Sequence, residues 1–239
     1  MGQTGRDGGR QEGRRRTAMK VILFGASGMV GQGVLRECLR DPDVTEVLAV
    51  ARSPLAAAHP KLRQVFHDDF TDFTAVAGQL AGADACFYCL GVSAAGHSSQ
   101  DYTRITYDCT LAAARTVAAG NPGLTFTYVS GEGTDSTEQG RSGWARVKGR
   151  TENALLAMDM HAYMFRPGWV QPLHGERSRT GWYRVLYGAG SWLYPLLRRL
   201  APRHVTTTQA LGRAMLAVTR LDGEEPYVLH SPDINRLGA

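Results

Sequence analysis

A triplet of glycines stands where an apolar run gives way to a helical pattern. Lys20-Val21-Ile22-Leu23-Phe24 reads as a short buried strand. It leads into Gly25-Ala26-Ser27-Gly28-Met29-Val30-Gly31. Val30, Val34, Leu35, Cys38 and Leu39 then recur at helical spacing until Asp41-Pro42 ends the run. At such a junction each glycine acts differently. The first permits the tight turn, the second lets backbone approach a pyrophosphate, and the third lets helix and strand pack closely. The helix start adds free N–H groups and partial positive charge, which suit phosphates. The same string elsewhere would be a weak signal, so its placement carries the argument. The residues expected at the phosphates are Gly25, Ser27, Gly28, Met29, Val30 and Gly31.

The rest of the chain repeats the strand–helix alternation. Strands are expected over Val44 to Val50, Leu62 to Phe66, Ala85 to Leu90, Leu124 to Val129 and Ala162 to Phe165, with a last one over Tyr227 to Leu229. Helices are expected over Phe73 to Leu80, Tyr102 to Ala119 and Trp144 to Met158. Thr206 to Thr208 opens another, over Gln209 to Arg220. This order predicts an α/β Rossmann domain, a doubly wound parallel sheet with helices on both faces. No linker divides residues 19–239, which read as one domain. Gly181 to Leu200 is apolar and aromatic, but its charge-free core is too short and too rich in glycine and proline to span a bilayer. It reads as a small lid on the substrate side, or as a face for a membrane surface or a protein partner.

Charge and cysteine usage narrow the partners. Of the formal net charge of +5, most belongs to residues 1–18, where Arg6, Arg10, Arg14, Arg15 and Arg16 outweigh Asp7 and Glu12. That stretch lacks apolar periodicity and reads as a disordered basic arm. The near-neutral remainder gives no reason to expect a nucleic-acid partner, and a small-molecule substrate is expected instead. Cys86 and Cys89 match C-x-x-C by letter, yet residues three apart on a strand point to opposite faces. Cys38, Cys86, Cys89 and Cys109 therefore read as reduced thiols, suited to the cytoplasm.

The second expected strand ends Ala49-Val50-Ala51-Arg52-Ser53. A carboxylate at this point binds the ribose 2′-hydroxyl of NAD, whereas an arginine suits the 2′-phosphate of NADP. Arg52 and the missing acid favour NADP(H).

Further motifs are Asp69-Phe70, Cys89-Leu90-Gly91-Val92-Ser93, Val129-Ser130-Gly131-Glu132-Gly133, Val147-Lys148-Gly149 and Arg166-Pro167-Gly168. With the glycine loop they make the chain resemble the atypical short-chain dehydrogenase/reductases. Within these it is most similar to the Tat-interacting-protein-like group, also labelled NAD-dependent epimerase/dehydratase. The resemblance implies nicotinamide binding and carbonyl or alcohol redox chemistry. It also implies Asp69 and Phe70 at the adenine, Leu90 and Gly91 along the cofactor, Ser130 and Lys148 beside the nicotinamide, and Arg166 and Pro167 close by.

That family's helix after the fifth strand normally carries Tyr-x-x-x-Lys, in which the Tyr moves the proton and the Lys lowers its pKa and holds the ribose. Here the string is Trp144-Ala145-Arg146-Val147-Lys148. An indole N–H donates a hydrogen bond but does not exchange its proton near neutral pH. The chain thus reads either as an NADP(H)-dependent oxidoreductase or epimerase with a non-standard proton donor, or as a catalytically impaired cofactor-binding protein that regulates or senses redox state. Among other acids, His97, Tyr102, Tyr107, Tyr128, Tyr163 and Tyr183 remain open.

Trp144→Tyr rebuilds Tyr-x-x-x-Lys with Lys148 in place. We predict that NADPH-dependent reduction of a reactive carbonyl then appears or rises, on the scale of about 10²–10⁴-fold typical of general acid catalysis. A parent as fast as this variant would mean that another residue supplies the proton.

Overall fold

The computed structural model describes residues 18–176, 199 and 201–239. The basic arm and the stretch read as a lid lie outside the described residues, apart from Ala18 and Arg199.

The sheet follows from the apolar runs. Its strands are β1 (Met19–Phe24), β2 (Val44–Ala51), β3 (Leu62–Phe66), β4 (Ala85–Tyr88), β5 (Thr125–Val129), β6 (His161–Arg166) and β9 (Val228–His230). They pair in the order β3-β2-β1-β4-β5-β6-β9, every pair parallel. Parallel strands need crossover connections, and those crossovers bury both faces. On one face lie α1 (Met29–Arg40), α5 (Thr208–Val218) and α6 (Ser231–Leu237), packed on Val21, Leu23, Ala85 and Phe87. On the other, α3 (Cys109–Gly120), α4 (Gly143–Leu156) and a 3₁₀ segment over Thr74–Leu80 cover Ile22, Phe24, Cys86 and Tyr88. The alternation separates the two thiols as geometry demands: Cys86 belongs to the second core and Cys89 packs against the first. All four cysteines are free.

Several boundaries differ from the sequence reading, each for a local reason. The helix expected over Tyr102 to Ala119 is α2 (Ser99–Thr103), a π-turn over Arg104–Asp108 and then α3. The Thr106 carbonyl within that turn accepts the Thr110 hydroxyl at 2.7 Å, which gives it a partner where the regular ladder is interrupted. The helix expected over Phe73 to Leu80 is 3₁₀ rather than α, a short stretch with only Val76 and Leu80 buried. A two-stranded parallel sheet of β7 (Trp169–Gln171) and β8 (Val205–Thr207) has no counterpart in the sequence reading, because three residues are too few to display a period of two. Thr207 does open α5 as expected, accepting the Ala210 N–H at 2.9 Å. Among the described residues no helix is long and apolar enough to cross a membrane.

The glycine loop is built tightly. Gly25 has φ +80°, a left-handed value, and a Cβ there would stand 2.7 Å from the Cys89 carbonyl carbon. A Cβ on Gly31 would overlap the Gly25 carbonyl oxygen. We predict that Gly31→Ala costs about 1–3 kcal/mol of stability, the scale of overpacking, and weakens dinucleotide binding. Gly78→Ala, where a Cβ meets nothing within 4 Å, is the control and should change little in denaturant titrations.

Candidate functional site

Strand register brings the first half of the site together. Phe24 lies beside Val50 on one side and Tyr88 on the other. The residues just beyond these strand ends, Gly25, Arg52 and Leu90, therefore meet at one edge, where open α/β sheets bind ligands. They line a cavity of about 310 Å³ together with Ala26, Ser27, Val50, Ala51, Ser53, Asp68 and Phe70. Gly28 caps α1 without a side chain, so no side-chain cap covers the first-turn N–H groups of Met29, Val30 and Gly31. The Val30 side chain packs on the core, which leaves its backbone as its contribution. Gln32 Nε2 donates to the Ser27 carbonyl at 2.9 Å and braces the loop.

Asp69, expected at the adenine, is not among the residues lining this cavity. Its Oδ1 accepts the Thr71 N–H at 2.9 Å and the Thr71 hydroxyl at 2.6 Å. Those bonds hold its carboxyl below the usual aspartate range. The carboxylate at the wall is its neighbour Asp68. Phe70 takes the expected place and meets Phe24 edge-on at 6.3 Å between ring centroids. Gly91 is exposed, one residue past Leu90. Ala26 and Ser27 also line a larger depression of about 690 Å³, rimmed by Arg36, Arg40 and His59.

The second half lies across the sheet at the ends of β5 and β6. Val129 pairs with Phe165, and Ser130 N–H continues the ladder to the Phe165 carbonyl at 2.9 Å. Ser130 is buried. Its hydroxyl reaches Glu152 Oε1 at 2.5 Å and the Phe165 carbonyl at 3.1 Å, so it is turned into the protein. Glu152, itself buried, receives Arg166 Nε at 3.1 Å on each oxygen and also pairs with its Nη2. Arg166 Nη2 bonds Ser136 Oγ as well. The arginine expected near the cofactor is thus committed to this network. Pro167 lends its carbonyl to the Glu132 N–H at 2.9 Å.

Trp144, Lys148 and Glu152 follow one another at four-residue spacing on α4, hence on one face. Lys148 Nζ donates to the Ser130 carbonyl and lies 5.9 Å from the Trp144 ring centroid. Burial pushes the Lys148 amine down to about 8, against an opposing pull from Glu152. Trp144 is 38% exposed, with its Cη2 atom facing Gly133.

The field of alternative acids narrows. Tyr128 and Tyr163 are core residues, and burial raises the pKa of both. Tyr102 is buried as well. His97 is exposed on its loop, and Tyr107 carries Arg150 over its ring at 4.2 Å. Tyr183 lies outside the described residues. Sequence reasoning does not single out Asp68, Glu152 or a Glu132–His204 pair at the β5 end. Glu152 is readable from its spacing to Lys148. His204 carries no local signal.

The family model described as NAD(P)H-binding matches residues 25–188. The chain belongs to the NAD(P)H-binding family. It is 27% identical over 227 residues to "Protein fmp52-2, mitochondrial" of Aspergillus terreus, covering 91% of this chain and 96% of that protein. It is 27% identical over 164 residues to "Protein HTATIP2" of Rattus norvegicus, covering 67% and 66%. A short chain dehydrogenase family protein from Francisella tularensis superposes with a TM-score of 0.66 at 13% identity, over 90% of this chain and 96% of that one. The last likeness is one of fold alone.

One consequence for this NAD(P)H-binding protein is a pH dependence. The Lys148 pKa is depressed in the folded state, so between about 8 and the ordinary lysine value the unfolded chain holds more protons. Stability of the parent relative to Lys148→Met should be level below pH 8 and rise above it, as read by urea midpoints at matched pH.

Proposed function

We propose that this NAD(P)H-binding protein is an NADP(H)-dependent oxidoreductase or epimerase acting on a small, apolar carbonyl or alcohol, with Trp144 at the usual Tyr position. The observation that carries the cofactor choice is Arg52, which lines the same cavity as Gly25 and Ser27 while no carboxylate stands at the end of β2. A guanidinium there pairs bidentately with a phosphate. Asp68 comes from the end of β3 beside Phe70, on the wall expected to meet the base. The residues fit a dinucleotide: Gly28 caps α1 without a side chain, and the first-turn N–H groups left without a side-chain cap suit phosphates. Bound there, the dinucleotide would supply or accept a hydride.

The chain's own residues would do the rest. Gly25, Ser27, Gly28, Met29, Val30 and Gly31 bind the phosphates by their backbone. Phe70, Leu90 and Gly91 bound the base and ribose. Lys148 holds the nicotinamide ribose from its seat on the Ser130 carbonyl. Asp69 acts by shaping its turn, and Pro167 by closing the β6 end.

A second reading, a cofactor-binding regulatory or redox-sensing protein, draws on Trp144 and on the Ser130 hydroxyl being engaged by Glu152. NADPH oxidation against a panel of carbonyl compounds separates the two. The cytoplasm suits four unpaired thiols, whereas the names of the fungal relatives place those proteins in mitochondria. A fluorescent fusion tests the compartment.

Calorimetry should show NADPH binding more tightly than NADH. Arg52→Ala should cost NADPH on the order of 1.5–3 kcal/mol, the scale of a hydrogen bond to a charged group, and leave NADH little changed. Equal parent affinities would overturn the assignment.

A further inference from the structure

The loop after β5 sets three successive residues against three partners. At Gly131 a Cβ would stand 3.6 Å from Lys148 Nζ, and at Gly133 one would stand 3.2 Å from Trp144 Cη2. Between them, the Glu132 carboxylate reaches the Nδ1 atom of His204 through Oε1. Along the chain, the acid of an acid–imidazole pair thus stands between the two positions that face Lys148 and Trp144.

Both members are held in place by backbone. The Glu132 N–H donates to the Pro167 carbonyl at 2.9 Å. Gly168 leaves room for the carboxylate, since a Cβ there would stand 2.5 Å from Glu132 Oε2. His204 N–H donates to the Ala201 carbonyl at 3.0 Å, and the chain enters β8 at the next residue, paired with Trp169. Asn235 clamps that strand, giving a hydrogen bond to the Val205 carbonyl at 2.8 Å and taking one from Thr206 at 2.7 Å. The two side chains keep contact with water, His204 at 61% and Glu132 at 46% exposure, so a proton lost from the ring is replaced from solvent.

We propose that His204, oriented by Glu132, exchanges the proton with the substrate oxygen that the family's Tyr would otherwise exchange. A carboxylate only accepts, so the ring directs Nδ1–H to Glu132 and leaves Nε2 as the nitrogen that exchanges. In the reducing direction the carbonyl carbon gains a hydride from a reduced nicotinamide dinucleotide, the named co-reactant. The C=O π pair moves to oxygen, and oxygen takes the Nε2 proton. The products are an alcohol, the oxidised dinucleotide and neutral imidazole, which water reprotonates. Glu132 is a positioning residue, and His204 is the donor. The proposal rests on the oxidoreductase reading. It reverses the expectation drawn from the sequence for Trp144→Tyr in the parent: with His204 present that substitution adds little, and its gain appears where His204 is absent.

The test uses the full chain with NADPH and p-nitrobenzaldehyde. His204→Gln should lower kcat by about 10²-fold or more, the scale of lost general acid catalysis, with the KM for NADPH unchanged within a few-fold. Glu132→Gln should lower kcat less, and Glu132→Asp should recover part of the loss. Trp144→Tyr should restore most of the rate in the His204→Gln background and add little to the parent. Independently of turnover, long-range ¹H–¹⁵N spectra should show His204 carrying its proton on Nδ1, a preference lost in Glu132→Gln. An active parent with an unchanged His204→Gln variant would overturn the donor and leave the oxidoreductase reading standing. So would a silent parent beside an active Trp144→Tyr variant. Silence in both, with NADPH still bound, would overturn that reading and the donor with it. A parallel loss of NADPH affinity in the His204 and Glu132 variants would overturn the donor in favour of a structural pair.

Discussion

The arrangement of the site hangs on one buried carboxylate. Glu152 joins three elements: its own helix α4, β5 through the Ser130 hydroxyl, and β6 through Arg166. Removing one member would leave the other charge largely buried without its partner, a cost of about 3–5 kcal/mol. The helix therefore has one rotational setting against the sheet. Lys148 and Trp144 lie one and two turns earlier on the same face, so the network that fixes Glu152 fixes them. Gly149 reinforces this setting, since a Cβ there would overlap the Asp135 carbonyl oxygen. The Ser130 hydroxyl is spent on structure in the process, and the Ser130 carbonyl becomes the contact for Lys148.

The nucleotide end has a different logic. Little there is buried or ionic. It is made of missing side chains and strand ends that stop in register, so that backbone N–H groups and one arginine face a common space. Such an arrangement suits a phosphate by shape and by partial charge. The opposite end, around Lys148, is crowded and ionic. Between them the parallel sheet sets the spacing, because both ends are built on residues immediately beyond its carboxyl edge.

The fold is legible in the sequence because its signals are local and repeated. Apolar runs of strand length alternate with helical periods, and the glycine loop marks the first crossover. The loop that is proposed to meet the phosphates can be placed for the same reason, since its backbone course follows from glycine placement. Side chains whose role depends on distant partners are harder. The motif around Arg166 points to the cofactor, yet its guanidinium is held by Glu152, fourteen positions earlier on another element. Asp69 and Asp68 cannot be told apart by sequence, since only the Thr71 turn decides which of the two faces the cavity. His204 meets Glu132 across 72 residues and through a strand too short to announce itself.

The contact between α1 and α5 ties these two ends to each other. Gly33 on α1 has no room for a side chain, since a Cβ would stand 2.5 Å from the Thr208 Cβ, and one on Gly212 would stand 3.0 Å from the Glu37 side chain. Thr208, the first residue of α5, lies only four residues after His204. The helix that presents the phosphate loop is thereby a gauge for the height of the β8 segment. In a lineage drifting from this chain, a bulkier residue at Gly33 would have to be matched by a shift at Thr208. The phosphate loop and the β8 segment are thereby coupled in height through one helix–helix contact that has no spare room on either side.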